Sequence, residues 1–144
     1  RFDIQFKGEK SVYIDDYAHH PEELKAAISS VRELYPNRKI TGVFQPHLYS
    51  RTNDFSNEFA QSLSLLDELI LLDIYPAREE PIPGVTSELI LNKVTISSKV
   101  LCSLKDVIKC LKARDIDVLI TMGAGNIDGV VSSIVELLKE KEKH

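Results

Sequence analysis

The chain begins with a period of two. Phe2, Ile4 and Phe6 interleave with polar residues, Gly8 interrupts them, and Val12 and Ile14 resume the alternation, so residues 1–16 are predicted to form a β-hairpin whose second strand ends on Asp15 and Asp16. The period then changes to that of a helix. Pro21 suits a first helical position, Glu22 and Glu23 complement the positive helix start, and Leu24, Ala27, Ile28, Val31 and Leu34 recur at helical spacing until Pro36. Further on, "KITGVFQ" (39–45) reads as a strand, followed by a helix from about Asn53 to Leu66 that buries Phe55, Phe59 and Leu63. Next come a strand "ELILLD" (68–73), a proline-rich loop, a short helix near 86–93 and a strand "KVLC" (99–102). "SLKDVIKCLKA" is a helix with Ser103 as its cap, "DVLITMG" (117–123) is the last strand, and a helix from Ile127 to Lys141 carries Val130, Val131, Ile134, Leu137 and Leu138. The tail "KEKEKH" reads as a solvated helix end.

Short apolar strands alternating with amphipathic helices imply crossover connections. The expected fold is α/β: a Rossmann-like, mostly parallel sheet with helices on both faces and an N-terminal β-hairpin, built as a single domain over residues 1–144. No repeat, low-complexity segment or internal linker interrupts it.

Composition narrows the picture only a little. With 43% apolar and 28% charged residues, the 144-residue chain has the balance of an ordinary globular domain. No apolar run approaches the roughly 18 residues of a membrane span. A net charge of −4 with scattered Lys and Arg argues against a nucleic-acid partner held by phosphate contacts. Cys102 and Cys110 have no zinc-ligand spacing, and reduced thiols in a cytoplasmic protein are the expectation. The chain begins at Arg1 in a residue pattern that already alternates, as expected of a piece of a longer protein.

In an open parallel sheet the ligand crevice lies beyond the carboxyl ends of the strands, and four loops there are chemically loaded. In "DDYAHHP" (15–21), Asp15 and Asp16 suit a metal or a ribose hydroxyl, or else simply end the strand; His19 adds a donor or a positive charge at a helix start, and His20 reads as a helix-cap neighbour. "QPHLYSRTND" (45–54) brings His47, Tyr49 and Arg51, with Thr52 and Asn53 opening the next helix. Arg51 has the planar fork for a carboxylate or phosphate; its alternative is a surface ion pair with Asp54 or Glu58, and that of His47 is a structural imidazole. "DIYPAREEPIPG" (73–84) is long for such a connection, which favours a functional or partner-facing loop over a minimal turn, with Arg78, Glu79 and Glu80 read as solvated. In "GAGN" (123–126) the glycines either face backbone donors toward an anion or only permit a tight turn.

Taken together, "DDYAHHPEE", "FQPHLYSRT", "LLDIYPAREEPIPG" and "MGAGNI", in this order and spacing, resemble the C-terminal domain of the Mur ligases, and the similarity covers essentially the whole chain. The resemblance implies an ATP-dependent, amide-forming ligase of peptidoglycan synthesis in which an N-terminal domain holds a UDP-sugar, a central domain holds ATP and Mg2+, and the C-terminal domain closes over both. Within the family the motifs sit nearest the member that joins L-alanine to UDP-N-acetylmuramate through an acyl phosphate. Nothing here resembles G-x-x-x-x-G-K-[ST], so the chain without those missing domains is expected to be inactive.

Carried onto this sequence, the resemblance makes Asp16 the carboxylate for the ATP ribose and His19 a catalytic side chain near the phosphates. It makes Tyr17, His47, Tyr49 and Arg51 the wall that orients the amino-acid and muramate ends, with Arg51 counted as catalytic beside His19. Leu48 stands where the family often has a second arginine, leaving Arg51 the sole guanidinium of its loop. Three alternatives stand beside this reading. One is the sibling ligase that recycles murein tripeptide, which shares a "DD-aromatic-AHHP" stretch. Another is a receiver-like phosphoacceptor module, which needs a lysine where this chain has Met122 and Gly123; the third is a metal module using His19, His20, His47 and Asp73.

Overall fold

A computed structural model describes residues 2–143. Six strands form one sheet: β1 (Asp3–Lys7), β2 (Val12–Asp16), β3 (Ile40–Phe44), β4 (Glu68–Leu72), β5 (Lys99–Cys102) and β6 (Val118–Met122). Their spatial order is β1-β2-β6-β3-β4-β5, and every neighbour is parallel except the β1–β2 hairpin. The predicted α/β architecture is therefore the observed one.

The helices divide between the two faces. On one face α1 (Pro21–Leu34), α3 (Ser56–Leu63) and α4 (Glu88–Leu91) pack Leu24, Ile28, Phe59, Leu63 and Ile90 against Ile14, Ile40, Phe44 and Ile120. On the other, α5 (Val107–Lys112) and α6 (Val131–Glu142) set Val107, Leu111, Ile134 and Leu138 against Tyr13, Val43, Ile70 and Leu119. Central strands covered on both sides are apolar at nearly every position, which is why "VLITM" and "ELILL" lack alternation. The Phe44 and Phe59 rings meet at 5.4 Å, a contact worth about 1 kcal/mol beyond its burial. Gly42 lets the α3 end approach β3, since a Cβ there would lie 2.5 Å from a Leu66 methyl. The Cys102 and Cys110 thiols are free, and burial, reinforced by Cys110, pushes Cys102 up to about 11.

Several local expectations are corrected. The hairpin carries a bulge between Ile4 and Phe6, so Phe2 and Phe6 join opposite core layers and Ile4 is 50% exposed. Leu34 lies ten residues beyond Leu24; at about 100° per residue it has drifted to the edge of the apolar stripe and is exposed. The predicted 53–66 helix is two helices, α2 (Tyr49–Asp54) and α3, so Thr52 and Asn53 lie inside α2. Phe55 is the joint, at φ −120°, and the break turns its ring outward to 40% exposure. Ser103 bonds the Asp106 carboxylate at 3.1 Å, where its hydroxyl was expected on the backbone. In the tail, Glu142 is not solvated: it accepts the backbone N–H groups of Glu9, Lys10 and Ser11 and pins α6 to the hairpin turn.

Candidate functional site

The chain leaves β2 and β3 toward the α1 face and leaves β6 toward the α6 face, so connections diverge where β6 lies between β2 and β3. A crevice opens at such a point, beyond the carboxyl ends. Asp15 and Asp16 end β2 there but do not act together, because successive strand residues face opposite sides. Asp15 points to the α6 side, where Tyr13 bonds Thr121 at 2.8 Å and Thr121 donates to Asp15 at 2.6 Å. Burial, with Asp16, Asp128 and Asp3 nearby, raises the Asp15 carboxyl despite that bond. Asp16 points to the α1 side and is 8% exposed, with Oδ1 accepting the Ala18 N–H at 2.8 Å. Together with Tyr17, His19, Phe2 and Leu34 it lines a cleft of about 650 Å³. Tyr17 is 49% exposed at that rim.

His19, His47 and Arg51 come together beside this cleft. The His19 and His47 rings meet edge to face at 6.1 Å, and Arg51 donates from Nη1 to His47 Nδ1 at 3.1 Å. An arginine can only donate, so His47 Nδ1 accepts and a neutral His47 carries its proton on Nε2. His19 is the reverse: its Nδ1 faces the Tyr17 carbonyl at 2.8 Å and must donate, leaving Nε2 as the acceptor in the neutral ring. One imidazole thus presents a lone pair and the other an N–H donor. Burial, then Arg51 and His19, hold His47 below the usual histidine range. Glu23 closes the α1 start by accepting the His19 and His20 N–H groups at 3.1 and 3.0 Å, which confirms His20 as part of the helix cap. Arg51 pairs with neither Asp54 nor Glu58 among the described residues. Tyr49 opens α2, and among the described residues no ring contact joins it to the histidines.

The 73–84 loop, whose length favours a functional or partner-facing role, supports the cluster from the side. Tyr75 bridges His47: Leu48 N–H donates to the Tyr75 carbonyl at 2.9 Å, Tyr75 N–H to the Pro46 carbonyl at 2.8 Å, and the rings of His47 and Tyr75 stack at 5.7 Å. Glu79, expected to be solvated, accepts the Ser50 N–H at 3.1 Å and also the Ser50 hydroxyl. A signal for it was present, since Leu48 precedes α2 and has no side-chain oxygen to cap it. Leu48 (φ 75°) and Ala77 (φ 55°) both occupy the left-handed region, a strain of order 1–2 kcal/mol each that surrounding contacts must hold.

The glycines of the "GAGN" segment are closely packed. A Cβ on Gly125 would lie 2.5 Å from Gln45 Oε1 and 2.7 Å from the Tyr75 ring. The Ile127 N–H goes to Gln45 Oε1 and the Gly123 N–H to the Asp16 carbonyl, so these donors serve the fold. Gln45, the other residue missed, also donates to Asn126 at 2.6 Å and ties the β3 and β6 loops together. No group of three or more His, Cys, Asp or Glu among the described residues is placed to hold a metal ion.

These features define a doubly wound α/β domain with an imidazole–guanidinium cluster at its strand ends. The chain belongs to the Mur ligase, glutamate ligase domain family, whose model matches residues 1–125. It is 59% identical over 138 residues to a UDP-N-acetylmuramate–L-alanine ligase of Parabacteroides distasonis, covering 96% of this chain and 30% of that protein. A UDP-N-acetylmuramate–L-alanine ligase of Phocaeicola vulgatus is 55% identical over 142 residues, covering 98% and 31%. Among solved structures, the UDP-N-acetylmuramate–alanine ligase of Thermotoga maritima superposes with a TM-score of 0.77 at 26% identity, covering 98% of this chain and 30% of that one. The chain thus spans about 30% of the length of these relatives. Family membership removes the receiver-like and metal-module alternatives. Among the described residues, no helix is long and apolar enough to cross a membrane.

Proposed function

We propose that this chain is the C-terminal domain of a cytoplasmic, ATP-dependent ligase that joins L-alanine to UDP-N-acetylmuramate. The observation that carries this is the strand-end cluster of His19, His47 and Arg51 beside the Asp16 cleft, in a chain so similar to ligases of that name. The murein tripeptide ligase ranks second, because the high-identity relatives carry the L-alanine name.

Asp16, fixed in the cleft wall by its bond to Ala18, is the group for the ribose hydroxyls of ATP. Mg2+ in this reading is held mainly by the central ATP-binding domain, outside this chain. Bound ATP supplies the phosphoryl group that activates the muramate carboxylate. His19 offers its Nε2 lone pair toward that region, and His47 its Nε2 proton to an acceptor oxygen. Arg51, at right angles in role, supplies the fixed positive charge for a substrate carboxylate, with Tyr17 and Tyr49 as flanking walls.

The test is kinetic, in the full-length enzyme. Arg51→Ala should cost about 2–5 kcal/mol in kcat/KM for L-alanine or UDP-N-acetylmuramate, with ATP affinity nearly unchanged. Arg51→Lys should recover part of the loss, because an ammonium lacks the planar fork. Asp16→Asn should weaken ATP first. A kinetically silent Arg51→Ala would make Arg51 a surface residue and remove this reading of the second loop.

A further inference from the structure

We infer that Glu79 is a positioning residue that holds the first turn of α2, and with it Arg51 and His47, in the geometry that receives the substrate carboxylate; the inference rests on the functional reading above. The start of α2 has no side-chain cap from its own loop, and Leu48 precedes it with φ at 75°. The neighbouring 73–84 loop supplies what is missing at three points: the Leu48–Tyr75 and Tyr75–Pro46 backbone bonds, the stacking of Tyr75 on His47, and the Glu79 carboxylate on Ser50.

Of these ties, only Glu79 carries charge. Its two oxygens take the Ser50 N–H and hydroxyl, and the Tyr49 N–H also faces it. Ser50 directly precedes Arg51, so a carboxylate fixed on Ser50 fixes where the guanidinium begins its reach. Glu79 is itself set by a turn in which its N–H returns to the Pro76 carbonyl at 2.9 Å, with Ala77 held at φ 55°. Its bonds to Ser50 hold the Glu79 carboxyl below the usual range, so it is ionised across the working pH. The same negative charge works against Arg51 and His19 at His47, drawing that imidazole back toward protonation. Glu79 therefore couples the two loops both mechanically and electrostatically, without needing to touch substrate.

The experiment compares Glu79→Ala and Glu79→Gln with Arg51→Ala in the full-length enzyme, and follows the Tyr49 and Ser50 amide signals and the His47 titration by NMR in the same variants of the 144-residue chain. Glu79→Ala should raise KM about tenfold for whichever carboxylate substrate Arg51→Ala affects, as expected for losing a charge-assisted hydrogen bond, with KM for ATP unchanged within about twofold. Glu79→Gln keeps an acceptor for Ser50 and should recover most of the KM effect, yet in both variants the His47 midpoint should fall, because the negative charge is gone. The midpoint reports the electrostatic coupling, and recovery of KM in Glu79→Gln without recovery of the midpoint separates the mechanical hold from it. If Arg51→Ala is impaired while Glu79→Ala is silent, the positioning role is overturned and the functional reading survives. If Arg51→Ala is itself silent, the functional reading fails; unmoved Tyr49 and Ser50 signals in Glu79→Ala would then overturn the clamp as well.

Discussion

The two ends of the sheet use their charges in opposite ways. At the amino ends of the parallel strands, carboxylates are consumed internally. Asp117, ahead of β6, takes the Arg38 guanidinium at 2.6 Å and the Lys39 N–H at 3.2 Å; Asp67, ahead of β4, takes Arg32 at 3.1 Å and the Ile40 N–H at 2.8 Å. Glu142 closes the hairpin turn that leads into β2 in the same manner. At the carboxyl ends, Arg51 rests on an imidazole nitrogen, and Glu79, an acid whose charge reaches it, has both oxygens on Ser50. A cation paired with a carboxylate has no attraction left for an anion, whereas one propped on a neutral group keeps it. The amino end is built to join strands and the carboxyl end to meet a ligand, although both look equally polar in sequence.

The difference is broken most directly at Gly125. An alanine Cβ there would overlap Gln45 and Tyr75, and Gly125→Ala should lose about 1–3 kcal/mol of stability in urea denaturation while disturbing the seat of His47. Gly129→Ala is the internal control, since nothing lies within 4 Å of its Cβ position, and it should be nearly neutral. Equal behaviour of the two variants would mean that the "GAGN" loop has room to yield, and that the seat of His47 is softer than these contacts imply.

Asp117→Asn tests the other end. It keeps the shape and removes the charge from a half-exposed carboxylate bonded to Arg38 and Lys39, so a loss of about 1–2 kcal/mol is expected after solvent screening. The full-length enzyme should keep its kcat and KM values at temperatures well below its unfolding transition. A change in KM for any substrate without a change in stability would erase the division between the two ends.

That division was only half legible in the chain. Strand order aside, the alternating and apolar runs located every strand and most helices, because burial on one or both faces leaves a period that survives in the sequence. The residues that gather at the carboxyl ends were legible too, as polar clusters placed after apolar strands. What was hidden depended on partners distant in sequence. Asp15 and Asp16 look like a pair and are separated by the pleat; Phe55 looks like core and falls at a helix joint; Glu79 looks solvated and closes a helix that starts 30 residues earlier. Local pattern reports which face a side chain takes within an unbroken element. It does not report bulges, joints or caps borrowed from another loop, and the support of Arg51 is made of those.

The smallest effect is a titration, and it asks whether the carboxyl-end cluster is as cationic as its geometry implies. His47 is held below its ordinary value of 6.5 by burial and by Arg51 and His19, with Glu79 opposing. In the unfolded chain the imidazole takes up a proton near pH 6.5, while in the folded chain it does so only at lower pH. Between those two values the unfolded state binds more protons, so stability rises with pH there. The contribution is fully present above pH 6.5 and is lost as pH falls through the folded midpoint. Glu23 and Glu79, both lowered from 4.5, lose their contributions further into acid, and Asp15, raised from 3.8, acts in the opposite sense, so the histidine's share is read by difference. His47→Gln isolates it. The stability of the parent chain minus that of the variant, followed by urea denaturation from about pH 7.5 to about pH 5, should be flat at first and then decline. A difference that stays constant would mean that His47 gains its proton as readily in the folded chain as in the unfolded one, and one that grows as pH falls that it does so more readily; either would mean that the Arg51 charge beside it is neutralised.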